Sequence, residues 1–159
     1  MATITKSDKD ARVRLGSTPW GNLSALRYHF STNAAGAVIG SDTAAAVASG
    51  DKIKVGLLPA GFRIVDSLII IATAMSASVT AKVGFEYADG VDVTAVPQDD
   101  DYFGAALVMS SAARLRNATA NPSAVLPKEA WLTVTTGGAA NAKASAVEVV
   151  VFGIAEGVE

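Results

Sequence analysis

The chain has 159 residues, enough for one domain with a packed core and too few for two of ordinary size. Half of the residues are hydrophobic and 18% are charged, which excludes an intrinsically disordered chain. A formal charge of −2 leaves no surplus of Lys or Arg for phosphate and argues against nucleic acid, and the lack of cysteine excludes disulfides and thiolate metal sites.

Residues 1–22 differ from the rest. Lys6, Asp8, Lys9, Asp10, Arg12 and Arg14 alternate in sign, and Gly16, Ser17, Pro19 and Gly21 follow. There is no apolar run of signal-peptide length, so no secretion signal is expected. The stretch reads as an extended N-terminal arm. Val13, Leu15 and Trp20 are its apolar anchors and the candidate partner-binding residues, because a segment that buries little by itself can order along a partner.

From residue 23 to 159 the pattern is that of one β-sandwich, because the apolar residues recur with period two. Leu26, Tyr28 and Phe30 alternate with Arg27 and His29. Ile53, Val55 and Leu57 alternate with Lys52, Lys54 and Gly56. Val79, Ala81, Val83, Phe85 and Tyr87 alternate with Thr80, Lys82, Gly84 and Glu86. Leu132 and Val134 alternate with Trp131, Thr133 and Thr135. Each window predicts a strand with one face inward.

Two runs, Ile64 to Ala74 and Val147 to Ile154, are apolar on both faces and predict central strands or strands at a subunit contact. The longest greasy stretch, Ser67 to Ala77, is too short to cross a bilayer, and no membrane partner is expected. Leu68, Ile70, Val83, Phe85, Val149 and Val151 are the expected core. Pro59-Ala60-Gly61, Asp89-Gly90, Asn121-Pro122 and Gly137-Gly138 punctuate the runs, with Asp89-Gly90 a candidate hairpin turn. Ala44 to Ala48 is open between a short helical turn and extended chain.

Reactive chemistry is sparse. The one histidine, His29, sits in an alternating strand, and no G-x-S-x-G elbow accompanies it. Gly36 and Gly40 lack the phosphate-loop spacing. Asp99, Asp100 and Asp101 form the densest carboxylate group, but without the spacing of a calcium loop they read as a solvated turn. Glu86, Glu129 and Glu148 supply carboxylates by count, with no spacing that selects a glycosidase pair. Trp20, Trp131, Tyr102 and Phe103 are the aromatics a carbohydrate-binding module would have to expose. No catalytic residue, metal site or cofactor is expected.

Val55-Gly56-Leu57-Leu58-Pro59-Ala60-Gly61-Phe62-Arg63-Ile64-Val65 is an apolar strand, a Pro-x-Gly turn and a strand opening on an aromatic. Val83-Gly84-Phe85 within Thr80 to Tyr87, the Ala88-Asp89-Gly90 turn, Pro127 to Val134 and Val147 to Ile154 follow. In this the chain resembles the small capsid decoration, or cement, proteins of tailed bacteriophages over roughly Ile53 to Gly157; the N-terminal arm does not align. The resemblance implies an all-β, jelly-roll-like antiparallel sandwich. It also implies a virion structural protein on the capsid surface, assembled in the host cytoplasm and needing no cofactor. Its partner would be the major capsid protein; the high apolar share and the two doubly apolar runs add the expectation of further copies of itself, as a dimer or trimer. A phage head-fibre or tail receptor-binding module for carbohydrate is the alternative.

Overall fold

A computed structural model of the chain describes residues 1–5, 13–14, 23–116 and 120–156, with the backbone alone at 13–14. These contain strands β1 (Thr3–Thr5), β2 (Val13–Arg14), β3 (Leu23–Thr32), β4 (Lys52–Leu58), β5 (Phe62–Thr73) and β6 (Thr80–Tyr87). They continue with β7 (Asp99–Val108), β8 (Ala113–Arg116), β9 (Ala124–Val125), β10 (Ala130–Gly137) and β11 (Ser145–Ala155). There is no helix among the described residues.

The first sheet runs β1-β4-β10-β6-β7 and the second β2-β3-β11-β5-β8, with β9 also on β5. Without the short strands β1, β2 and β9, two four-stranded sheets remain, β4-β10-β6-β7 and β3-β11-β5-β8. Consecutive strands alternate between them except at the β6–β7 hairpin, so that the last strand inserts beside the first. This is the eight-stranded jelly roll. The doubly apolar runs are β5 and β11, and both have neighbours on two sides, as their composition predicts.

The core fills the space between the sheets. Leu26, Tyr28, Phe30, Val149 and Val151 from the second sheet meet Ile53, Val55, Val83, Phe85, Leu132 and Val134 from the first. Two expectations fail here for one reason. Leu68 and Ile70 are expected in the core, yet Ile69 and Ile71 fill it, and Leu68 and Ile70 lie half-buried on the opposite face. The β5–β11 register breaks between Ile64 and Asp66, leaving Val65 as an extra, exposed residue. The inward set therefore changes from Phe62 and Ile64 to Ser67, Ile69 and Ile71. A bulge in β4 acts likewise: Ile53 and Val55 point in, then Gly56 and Leu58, so that Leu57 turns outward.

Gly56 has a specific reason to be glycine. A Cβ there would stand 2.7 Å from the ring of Tyr28, which lies against the bulge and donates its hydroxyl to the Leu57 carbonyl at 2.8 Å. Asp89-Gly90 does turn, with Gly90 N–H bonded to the Tyr87 carbonyl at 3.0 Å, but it opens a long connection from 88 to 98 rather than a two-residue hairpin. The Ala44 to Ala48 stretch is extended, with Ala46 bridged to Ala37.

The described parts of the arm are tied to the sandwich. β1 runs parallel to β4, with Thr3 opposite Lys52, and Ile4 is a buried core residue. The Ala2 N–H donates to the buried Asp51 carboxylate at 2.9 Å. β2 pairs with β3 in the other sheet, Val13 opposite Arg27. The described parts thus border both sheets, β1 beside β4 and β2 beside β3.

Candidate interaction surfaces

With the core closed, what the molecule can present is its two outer sheet faces and its loops. The outer face of the first sheet is polar. Its register aligns Lys54 with Thr133 and Gly84, and Lys52 with Thr135 and Lys82. Glu86 reaches across to both ammonium groups, with Lys54 Nζ at 2.9 Å. Trp131 is buried beside this network, with Lys54 Nζ 5.6 Å from the ring centre. The hydroxyls of Thr133 and Thr135 are buried here with no protein partner.

Burial pushes the Glu86 carboxyl up, and the hydrogen bonds and charges of Lys52 and Lys54 outweigh it, leaving it below the usual carboxylate range. A lowered folded-state pKa gives stability that is fully present above the unfolded value, about 4.3, and is lost as pH falls through the folded value. In urea titrations, Glu86→Gln is therefore expected to flatten the loss of stability on acidification below about pH 4.3. An acid limb as steep as that of the parent chain would show that Glu86 is not coupled to folding.

The outer face of the second sheet carries an apolar patch beside its charged pairs. Leu68 and Ile70 of β5 lie beside Val150 and Glu148 of β11, and Phe152 lies between Asp66 and Ala25. Leu23 is 62% exposed and Val65 49% exposed. Leu23, Val65, Leu68 and Phe152 line an open depression of about 380 Å³, walled on one side by Asp66 and Arg116. Arginines frame this face. Arg27 Nε donates to Glu148 at 3.0 Å, Arg116 Nε to Asp66 at 2.8 Å and Arg63 Nη2 to Glu156 at 2.9 Å. The three carboxyls are held below their ordinary range, in each case chiefly by the arginine hydrogen bond.

The cations are segregated. Among the described side chains, every arginine (Arg27, Arg63, Arg114, Arg116) belongs to the second sheet, and the strand lysines (Lys52, Lys54, Lys82) all belong to the first.

The sequence-derived candidates fall as follows. Val13 is placed by its backbone opposite Arg27 at the edge of the second sheet; Leu15 and Trp20 lie outside the described residues. His29 is exposed on the outer face of β3, in register with Glu148. The carboxylates of Asp99, Asp100 and Asp101 come within 4.8 Å of one another. Lys82 Nζ sits 3.2 Å from Asp100 and 3.6 Å from Asp101, and Asn121 donates to Asp99 at 3.2 Å, so the group is already neutralised in part by the protein. Of the aromatics a sugar-binding surface would need, Trp131, Tyr102 and Phe103 are buried. Tyr102 packs edge-on against Phe85 and Phe103, and its hydroxyl donates to the Pro122 carbonyl at 2.6 Å.

The architecture is thus a jelly-roll sandwich whose first sheet has a polar outer face and whose second carries an apolar patch on its outer face. It matches a chain from the solved capsid of Ralstonia phage GP4 end to end, with a TM-score of 0.65 over 99% of this chain and 100% of that one, at 18% identity. No protein-family model matches the sequence, and a search of curated proteins finds no match.

Proposed function

We propose that the chain is a non-enzymatic virion structural protein, a decoration protein that binds and stabilises an assembled phage head through protein–protein contacts. The observation that carries this reading is the end-to-end correspondence with a chain of a phage capsid. The sites fit the role. Among the described residues the displaced carboxyls, Asp66, Glu86, Asp89, Glu148 and Glu156, are all lowered by neighbouring Lys or Arg, whereas a general acid would be raised. A decoration protein needs contact area where subunits meet and no reactive group. The major capsid protein is its partner in this reading. Val13, Leu15 and Trp20 of the arm are the contacts, and the chain associates with copies of itself.

Co-sedimentation of the purified chain with empty phage shells tests this. The wild type is expected in the shell pellet, and Trp20→Ala is expected to weaken binding at least tenfold, since large aromatics dominate such contacts. A chain that stays in the supernatant at micromolar concentration overturns the decoration role. Undiminished binding of Trp20→Ala removes the arm from the contact.

A further inference from the structure

We infer that the outer face of the second sheet is a self-association surface, on which a second copy of this chain packs sheet against sheet through β5 and β11. The inference rests on the self-association in the reading above and names the surface that performs it.

Three observations support it. The first is composition. Leu23, Val65, Leu68, Ile70 and Phe152 share one sheet face, and the surrounding cations are arginines. Interface cores are enriched in aromatic residues and arginine and depleted in lysine, because the guanidinium is weakly hydrated and keeps its planar bonds when water is excluded. The lysine-bearing face of the first sheet is the opposite case. It is already capped by its own Lys52–Glu86–Lys54 network.

The second is charge. The Arg27–Glu148, Arg116–Asp66 and Arg63–Glu156 pairs are closed within the chain, which leaves the face a formal charge of only +1, that of Arg114. A strongly acidic or basic partner finds little net field there, and an identical face is not repelled.

The third is size. Three strands of 10 to 12 residues (β3, β5 and β11) with the four-residue β8, at ~4.8 Å spacing and ~3.3 Å rise, give a face of roughly 600 Å² in projection. With side-chain relief this approaches the roughly 800 Å² per partner of a stable interface. Two such faces opposed around a dyad would bury Phe152 and Leu68 of both copies, as inner faces do in a sandwich.

Sedimentation equilibrium of the full chain, with Leu68→Glu, Phe152→Glu and the control Val108→Glu, tests the inference. Val108 is 55% exposed and belongs to the first sheet. A dimer is expected for the wild type and for Val108→Glu, with dissociation at least tenfold easier for the other two. A milder pair covers the case in which a buried glutamate unfolds the chain. Since the chain has no cysteine, the thiol of Leu68→Cys is expected to label several-fold more slowly as concentration rises, and that of Val108→Cys at a constant rate.

A wild type that is monomeric at micromolar concentration overturns the inference, as does a dimer untouched by both glutamates or a concentration-independent Leu68→Cys rate. Shell co-sedimentation is read separately. A monomeric chain that loses shell binding with Phe152→Glu gives the face to the shell instead of a second copy. An intact dimer that never binds shells overturns the decoration role alone.

Discussion

Replacing Phe85 with alanine is expected to destabilise the protein by roughly 3–5 kcal/mol, the range for deleting a fully buried ring from a core that only partly collapses. Phe85 is 1% exposed in the middle of the first sheet. Its ring stands 5.8 Å from Tyr87 and 5.3 Å from Tyr102, both edge-on. Truncation removes the ring's own burial and both aromatic contacts. It also opens a void in the core beneath β6 and β7, where the register is already irregular. The matching fall in melting temperature is on the order of 10 °C for a chain of this size. Urea unfolding by fluorescence and calorimetry both read it. A loss below about 1 kcal/mol would place the ring at the surface and overturn the inward assignment of β6.

The second large effect is expected at Asn141. Its amide is buried and saturated, accepting from the Ser76 N–H at 3.0 Å and the Ser76 hydroxyl at 3.2 Å. It donates to the Thr32 hydroxyl at 3.0 Å and the Lys143 carbonyl at 2.8 Å. One side chain thereby joins the end of β3, the β5–β6 connection and the β10–β11 connection. Asn141→Ala takes the acceptor from the Ser76 N–H and hydroxyl, while the Thr32 hydroxyl and the Lys143 carbonyl keep their bond to each other; at 1–3 kcal/mol for each group left unpaired the total loss is expected at roughly 2–4 kcal/mol. Asn121→Ala, at a half-exposed site with two bonds, is expected to lose about 1 kcal/mol. Amide exchange at Ser76 should quicken in Asn141→Ala, because its acceptor is gone. Equal losses for the two variants would show that Asn141 has no special role in closing that end of the sandwich.

Asn141 was silent in the sequence because its partners lie far along the chain, at residues 32 and 76. An asparagine between Ala140 and Ala142 reads as a turn residue, and only closure of the jelly roll surrounds it with four polar atoms. The Lys52–Glu86–Lys54 network is a similar case. The lysines and the glutamate were visible as outward positions of alternating strands, but their meeting depends on β10 lying between β4 and β6. The apolar outer face had a partial signal, since the run from Ile64 to Ala74 and the run from Val147 to Ile154 are greasy on both sides. What it lacked was any indication of which residue belongs to which side.

By itself the sequence determined the all-β class, the central places of β5 and β11, and the inward residues wherever polar and apolar positions alternate, as at Tyr28, Val83 and Phe85. Period-two alternation is a property of the extended backbone and needs no partner to be read. Only the tertiary structure decided which strands pair, which side of β5 faces the core, and which outer face stays apolar. Those depend on bulges at Val65 and Val55 that shift the alternation by one residue, and a continuous apolar run carries no trace of such a shift. The same shift that turned Leu68 and Ile70 outward gives the second sheet the apolar surface proposed here for self-association.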